Sequence, residues 1–341
     1  TFTIIDFFIM HLNYNLPKKI LSWYDNHKRT LPWRVGKNSK KKHYYRLLSE
    51  FMLQQTQVKT VIPYFKKFTD KFPTLKSLSR CSEKKILKLW EGLGYYRRAR
   101  NLLATTKILV KKKKSKLPNS LEEIKKLPGV GDYTANALLG LVYNRPTIAI
   151  DGNVKRVFSR ILNKKETKIN FEKFIELNKK ILFNTNRNSD FVEALMEFGA
   201  LICKPREPQC NICNLKSVCK YFSSSNKISI TKYKILKNKN YDIFCYINKN
   251  KQIALTKKNK LGFLNKFNLP QIKETRNNNK KNWKFLSKYK NSISNKKLNI
   301  NLYYKFSKKI PTSFTWHSIE KNKEFIPSFT KRIFKQVSTI F

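Results

Sequence analysis

Residues 120–143 read Ser-Leu-Glu-Glu-Ile-Lys-Lys-Leu-Pro-Gly-Val-Gly-Asp-Tyr-Thr-Ala-Asn-Ala-Leu-Leu-Gly-Leu-Val-Tyr, the pattern of a helix, a tight turn and a second helix. Ser120 followed by Glu123 spells a capping box, in which the hydroxyl accepts a backbone N–H and the carboxylate reaches back to the cap. Leu127-Pro128-Gly129-Val130-Gly131 cannot prolong that helix, because proline lacks an N–H and its ring clashes with the preceding turn. From Asp132 a helical pattern resumes, lined by small residues such as Ala135 and Ala137. Gly129 and Gly131 bare the backbone amides where the second helix begins, and there the helix dipole and unpaired N–H groups favour a phosphate. A turn that serves packing alone has the same composition. A phosphate held by backbone amides is gripped without regard to base sequence.

Two acids flank this stretch. Asp151 ends the apolar run Ile148-Ala149-Ile150 and is followed by Gly152-Asn153 and a helical pattern from Val154 to Leu162. An aspartate there caps a helix, and that is its plain role. The helix N-terminus, with Asn153 and Lys155 beside it, is also expected to keep the carboxylate ionised, as stabilising a cationic sugar requires. Glu50 lies between Leu47, Leu48 and Phe51, Met52, a setting that would raise its pKa and suit a general acid. Periodicity alone favours an ordinary exposed helix glutamate, since helix surfaces are rich in them. One raised and one ionised carboxyl form the pair that glycosidic cleavage calls for. After Glu50, Gln54-Gln55-Thr56-Gln57 is an uncharged polar run able to fill a gap in a base stack or to form plain helix surface. Gly92-Leu93-Gly94-Tyr95-Tyr96-Arg97-Arg98 sets aromatics beside cations, as stacking on bases and holding a backbone would want, although aromatics at a helix end are as often core.

Cys203, Cys210, Cys213 and Cys219 are four of the six cysteines, separated by six, two and five residues. Four unrelated thiols rarely crowd so closely, and the spacing lets them close on one metal or cluster, with Lys204, Arg206 and Lys216 expected to favour thiolates. Counting sulfurs does not separate an iron–sulfur cluster from zinc. Only Cys81 and Cys245 lie outside the quartet, which suits a reducing compartment.

The chain has 341 residues and a formal net charge of +52, for which a polyanion is the first partner to consider. Residues 221–341 hold 28 Lys and Arg against 4 Asp and Glu, and residues 1–220 hold 45 against 17, so the excess is spread out and locates no site. No apolar run reaches the roughly 20 residues a membrane span needs. Thr1–Met10 lacks a secretory pattern, and Met10 is a candidate start. Eight of the nine glycines precede Cys219, and only Gly262 follows it. Helical spacing dominates before that cysteine, including Val58–Phe65 and Phe171–Leu182, whereas Tyr241–Ile247 and Ile253–Thr256 look like strands. The expected organisation is a domain over 1–220 with a cysteine loop at 203–219, a linker at 221–240 that begins with Ser223-Ser224-Ser225, and a smaller α+β domain over 241–341.

Together with Leu31-Pro32-Trp33-Arg34, the run Ser49–Val58 and Asp151–Val157, these stretches resemble the helix-hairpin-helix DNA glycosylases and, within them, the adenine DNA glycosylase (MutY) family. The resemblance covers about residues 18–221 and rests on six motifs in the family's order. It implies a mostly α fold, a helical bundle plus an iron–sulfur cluster subdomain, followed by a degenerate MutT-like (Nudix-like) domain that reads the lesion. It also implies that the four cysteines hold a [4Fe–4S] cluster. By the same resemblance Glu50 protonates a flipped adenine, and Asp151 stabilises or captures the sugar cation, with Tyr133 and Asn153 assisting. Gln55 and Tyr95 would enter the base stack with Thr56 nearby and Leu93 beside the lesion. Arg34 and Glu193 would touch the adenine, while Gly129, Val130, Gly131 and Lys155 would meet the DNA. The implied substrate is double-stranded DNA with adenine opposite 8-oxoguanine or guanine, handled by a cytoplasmic, nucleoid-associated monomer of bacterial type.

Two rivals remain. Endonuclease-III-type glycosylase/lyases share the hairpin and the cysteine spacing, but need a Schiff-base lysine where this chain has Tyr133. A lysine-rich damage-binding protein without turnover is the other, and intact Glu50, Tyr133 and Asp151 argue against it. In the C-terminal region the likeness is poor: Leu261–Pro270 is only faintly similar to the family's glycine- and tryptophan-containing stretch. Phe314-Thr315-Trp316 stands in place of a Phe-Ser-His reader, with His317 as the one substitute histidine.

Overall fold

The computed structural model describes residues 12, 15–229, 237–258, 264, 267–275, 280–293, 296–320 and 326–341. Backbone proximity divides the chain into two units, 1–81 with 96–232, and 82–95 with 233–341. The helices are α1 Leu16–His27, α2 Lys42–Leu53, α3 Val58–Lys71, α4 Leu75–Ser79, α5 Glu83–Leu89, α6 Arg97–Lys112, α7 Leu121–Lys125, α8 Asp132–Tyr143, α9 Gly152–Leu162, α10 Phe171–Leu177, α11 Lys179–Leu182, α12 Asn188–Leu201, α13 Lys220–Ser223 and α14 Ser328–Val337.

In the first unit α1, α9 and α12 share a core of Leu16, Ile20, Trp23, Val157, Phe158, Phe191, Leu195 and Phe198. Residues 46–52 of α2 are buried on every side, Leu47, Leu48, Phe51 and Met52 completely. Each such apolar side chain contributes roughly 1.5–3 kcal/mol relative to exposure. The helical hairpin is present as α7 and α8, with Ala137 and Leu141 of α8 packed against Val192 of α12. The expected capping box forms only by half. The Ser120 hydroxyl accepts the Glu123 N–H at 3.3 Å, but the Glu123 carboxylate is drawn to the Lys113 ammonium at 3.0 and 3.1 Å. The helix expected over Phe171–Leu182 breaks at Asn178, whose side-chain oxygen accepts the Leu12 N–H at 2.8 Å.

The second unit holds a six-stranded mixed sheet of β1 Lys237–Ile247, β2 Gln252–Leu255, β3 Gln271–Glu274, β4 Lys284–Ile293, β5 Lys296–Phe306 and β6 Thr315–Ser318. The order is β4-β5-β1-β2-β6, with β3 also paired to β1, and β1 and β5 run parallel from Lys237↔Lys296 to Ile247↔Phe306. Alternation sends Ile243, Cys245, Ile247, Ile300 and Leu302 into a core closed by Phe329, Ile333, Phe334 and Val337 of α14. The expected strands 241–247 and 253–256 fall on β1 and β2, with Thr256 bridging to Leu269. Ser82–Tyr95 belongs to this unit, where Glu91 forms an ion pair with Lys331. Trp316 and His317 lie on β6, and the His317 Nε2 is 2.8 Å from the Thr315 hydroxyl. Residues 261–263 and 265–266 of the faintly similar stretch, part of the expected linker at 230–236, and Met10 lie outside the described residues. Among the described residues no helix is long and apolar enough to cross a membrane.

Candidate active site

Glu50 is 4% exposed, because α2 is an interior helix with no solvent face around it. Its Oε2 is buried with no hydrogen-bond partner, and the Tyr133 hydroxyl from α8 is near enough to favour the ionised carboxylate. Burial pushes the Glu50 carboxyl up to about 7, against the Tyr133 hydrogen bond and the Arg46 charge, while the Asp151 and Glu193 charges push it further up. Tyr133 senses both acids, and burial together with those two charges holds its hydroxyl well above the usual tyrosine range. That hydroxyl also meets the Met196 sulfur at 3.4 Å. Glu50 and Asp151, 101 residues apart in sequence, thus act electrostatically on each other and both on Tyr133.

Asp151 is the N-cap of α9: Oδ1 accepts the Val154 N–H and Oδ2 accepts the Asn153 amide, both at 2.7 Å. The helix terminus, Asn153 and Arg156 favour the ionised carboxylate, yet the carboxyl is raised above the ordinary aspartate value. Burial outweighs the donors at Val154 and Asn153 and the Arg156 charge. Both acids are therefore tuned upward and not in opposite directions. Lys155 does not assist Asp151 as expected: its ammonium lies 3.5 Å from Glu166 and 5.6 Å from the centre of the Phe171 ring. Arg156, which the sequence reading overlooked, does that work. It donates to Asn153 Oδ1 at 2.8 Å, to the Gly199 carbonyl at 2.6 Å and to the Cys203 carbonyl at 2.7 Å. Gly199 has to be glycine, because a Cβ there would lie 2.6 Å from the Asn153 Cβ.

Arg34 and Glu193 stand together in a buried ion cluster on α12 and the segment before α2. The Arg34 Nε is 3.1 Å from Glu193 Oε2, and its Nη2 is 3.1 Å from Glu197 Oε2. Glu197 takes a two-pronged hold from Arg29 at 2.7 and 2.8 Å. Burial pushes the Glu197 carboxyl up, but Arg29 and Arg34 outweigh it and leave it below the usual range. Glu193 also accepts from the Tyr24 hydroxyl and from Arg46. Tyr24, Arg29, Arg46 and Glu197 escaped the sequence reading. The available signal was helical spacing, with Arg46 four residues before Glu50 and Glu197 four after Glu193.

The polar run leaves helical geometry at once. Gln55 is exposed at φ 57, and the Gln54 amide reaches the Gly129 carbonyl at 3.4 Å and the Thr134 hydroxyl at 3.3 Å, so this run and the hairpin turn are neighbours. The Thr56 hydroxyl returns to the Gln54 carbonyl at 3.4 Å. Arg98 was expected to hold a nucleic-acid backbone, but it is buried and donates to the Phe51, Met52 and Gln54 carbonyls at 3.2, 2.7 and 2.5 Å. It caps α2, whose last carbonyls have no helical partner. Tyr96 is buried likewise. Leu93 and Tyr95 belong to the second unit, Leu93 buried, and Tyr95 40% exposed at φ 48.

In the turn, Gly129 is exposed at φ 79, Val130 is buried, and Gly131 is the exposed N-cap of α8. A Cβ on Gly129 would lie 2.7 Å from the Asn101 Cβ. Gly129→Ala therefore strains both backbone and packing. Its expected effect is roughly tenfold weaker DNA binding, uniform across base sequences, with a flatter dependence on salt. Fluorescence anisotropy with two unrelated duplexes at several salt concentrations checks it.

The four clustered cysteines are free and partly buried on the segment after α12, beside 3₁₀ turns at Cys210–Ile212 and Lys216–Val218. The expected thiolate-favouring cations are corrected: Arg160 and Arg156 of α9 act on Cys203, not Lys204, Arg206 or Lys216. Arg160 donates to the Cys203 sulfur at 3.4 Å and to the carbonyls of Lys204 and Pro205 at 2.6 and 3.1 Å. Burial nevertheless pushes three of the thiols up, Cys203 and Cys219 as well as Cys213, the last to about 11, and each of these three feels the charge of its cysteine neighbours. Four unpaired sulfurs that sense one another, backed by Arg160, suit a thiolate-bound centre. Among the described residues no group of three or more His, Cys, Asp or Glu is arranged to hold a single metal ion.

Residues 48–180 match the HhH-GPD superfamily of base excision DNA repair proteins. The chain is 42% identical over 293 residues to an adenine DNA glycosylase of Buchnera aphidicola subsp. Baizongia pistaciae (strain Bp), spanning 82% of this chain and 79% of that one. It is 36% identical over 261 residues to an adenine DNA glycosylase of Arabidopsis thaliana, spanning 67% of this chain but 41% of the longer plant protein. Among solved structures it resembles a thermostable thymine-DNA glycosylase, with a TM-score of 0.54, 26% identity and coverage of 61% of this chain and 95% of that one.

Proposed function

This chain belongs to the adenine DNA glycosylase family within the HhH-GPD superfamily, and from that membership and the buried pair of acids we propose that it excises adenine mispaired with 8-oxoguanine or guanine. As a DNA glycosylase it hydrolyses an N-glycosidic bond. The observation that carries the finer reading is Glu50, a carboxyl pushed up to about 7 with a buried, unpartnered Oε2 and Asp151 near enough to act on it. Such a group is protonated in a large fraction of molecules at neutral pH and has a proton to give.

The base is turned out of the stack, at a cost of a few kcal/mol that pocket contacts and stack-filling residues offset. Glu50 transfers its proton to the adenine as the bond from C1′ to the base nitrogen breaks, so the base departs neutral. Asp151, with both oxygens already held by Val154 and Asn153, faces the positive charge that develops on the sugar. Water then supplies hydroxide to C1′, its remaining proton returns to Glu50, and an abasic site is left. Tyr133 orients Glu50, and Arg34 with Glu193 grips the purine. Gln55, Thr56, Leu93 and Tyr95 serve the gap in the stack, and Gly129, Val130, Gly131 and Lys155 serve the backbone. The lyase chemistry of the endonuclease III type needs a lysine where this chain has Tyr133, and the ammonium of nearby Lys155 lies 3.5 Å from Glu166.

Cys203, Cys210, Cys213 and Cys219 would hold a [4Fe–4S] cluster, and its iron–thiolate bonds would cross-link the segment on which Arg156 and Arg160 converge. The basic C-terminal unit serves as the degenerate Nudix-like reader of the opposite base, in a monomer that works on the nucleoid in the cytoplasm. The test uses duplexes with adenine opposite 8-oxoguanine, guanine or thymine, followed by alkali. Breaks are expected only after alkali and only for the first two. Breaks without alkali would point to the lyase, and binding without breaks to the damage-binding reading.

A further inference from the structure

We propose that Arg46 is a positioning residue of this site: its guanidinium clamps the Glu193 carboxylate and carries a permanent cation one helical turn before Glu50. The inference rests on the adenine-excision reading and extends it to a residue outside the motif Ser49–Val58. Arg46 is 6% exposed, in a stretch of α2 that is otherwise apolar apart from Ser49 and Glu50. Burying a guanidinium is costly and persists where the charge is matched. The match is Glu193, whose Oε1 accepts from Arg46 Nη1, while Oε2 takes the Tyr24 hydroxyl and lies 3.1 Å from the Arg34 Nε. Two donors, Tyr24 and Arg46, and the Arg34 cation come from three segments and hold that carboxylate in place. Oε1, engaged among the described residues by Arg46 alone, keeps a lone pair for a donor such as the exocyclic amine of adenine.

Residues 46 and 50 share a helix face. The groups that act electrostatically on Glu50 are Tyr133 from α8, Asp151 from the segment before α9, Glu193 from α12 and Arg46 from its own helix. Two of these are acids and one is a phenol, so Arg46 is the one cation among them. Without it, two carboxylates would hold the Glu50 proton more tightly, and Glu193 would lose its anchor.

The experiment measures single-turnover adenine release from a duplex with adenine opposite 8-oxoguanine, between about pH 5.5 and 9, for wild type, Arg46→Met and Arg46→Lys. Affinity for a duplex carrying a tetrahydrofuran abasic analogue and a thermal melt accompany each variant. Arg46→Met is expected to lose roughly 10- to 100-fold in rate at neutral pH with analogue affinity nearly unchanged, and its alkaline limb moves to higher pH. Arg46→Lys returns the limb to its wild-type place but only part of the rate, because an ammonium lacks the planar fork. If Arg46→Met fails to fold, Arg46→Lys decides alone: a lower rate at unchanged affinity and melt supports the clamp, and wild-type behaviour overturns it. A folded Arg46→Met with wild-type rate and limb overturns it as well. A wild type that releases no adenine from any duplex sinks the excision reading itself.

Discussion

Glu50→Gln releases adenine about a thousandfold more slowly than wild type, while its affinity for the mispaired duplex stays within a few fold. Glutamine keeps the volume of the side chain, so the interior around α2 is not reopened. What disappears is the transferable proton. The wild-type pH profile carries the same signature. Glu50 is active in its protonated form, and burial pushes that carboxyl up to about 7. The protonated fraction is therefore nearly complete below that value and is lost as pH rises through it, giving an alkaline limb near neutrality. Asp151 is active as the anion, and burial raises its carboxyl above the ordinary aspartate value. The acid limb accordingly begins at a higher pH than an exposed aspartate would give. Because the two acids interact, the limbs report the pair and not either residue alone. Single-turnover rates across pH are the measurement. A Glu50→Gln enzyme with the wild-type rate, or a rate that climbs steadily through neutral pH, would remove Glu50 from the chemistry.

Why Glu50 could not be placed from its neighbours shows where sequence reading stops. The helical hairpin, the strand pattern after residue 237 and the cap at Asp151 are local features, and each is legible because its residues are adjacent in the chain. The burial of Glu50 is not local. It follows from α2 being enclosed on every side, which no window of a dozen residues can reveal, and so an exposed glutamate was the better guess from periodicity. Arg98 failed in the reverse sense: next to Tyr95 and Tyr96 it looks like a DNA contact, yet three carbonyls 44 to 47 residues away claim it. The carboxylate cluster of Glu193 and Glu197 depends on Arg29, Arg34 and Arg46 from two earlier segments, at separations of 147 to 168 residues. Charge composition was no guide, since arginines spent in the interior look the same in a count as those facing solvent.

Asp151 does two jobs that substitution can separate. Asparagine caps a helix about as well as aspartate, so Asp151→Asn should leave the stability of α9 nearly intact. Alanine removes the cap and should cost about 1 kcal/mol. Neither supplies a negative charge to the sugar, so both should lose excision by about two to three orders of magnitude. Equal losses of rate with unequal melting temperatures would show that charge, not capping, carries the chemistry. If Asp151→Asn kept most of the rate, the cap alone would explain the residue. Arg156→Met probes the same carboxylate from behind. It leaves Asp151 in place but frees Asn153 and cuts the hydrogen bonds to the Gly199 and Cys203 carbonyls. Loss of rate there, with Asp151 and its Val154 cap untouched, would mean that the cysteine segment aims the carboxylate through Arg156 and Asn153. Gly199 belongs to that chain of contacts because the close approach of α12 to Asn153 leaves no room for a methyl group.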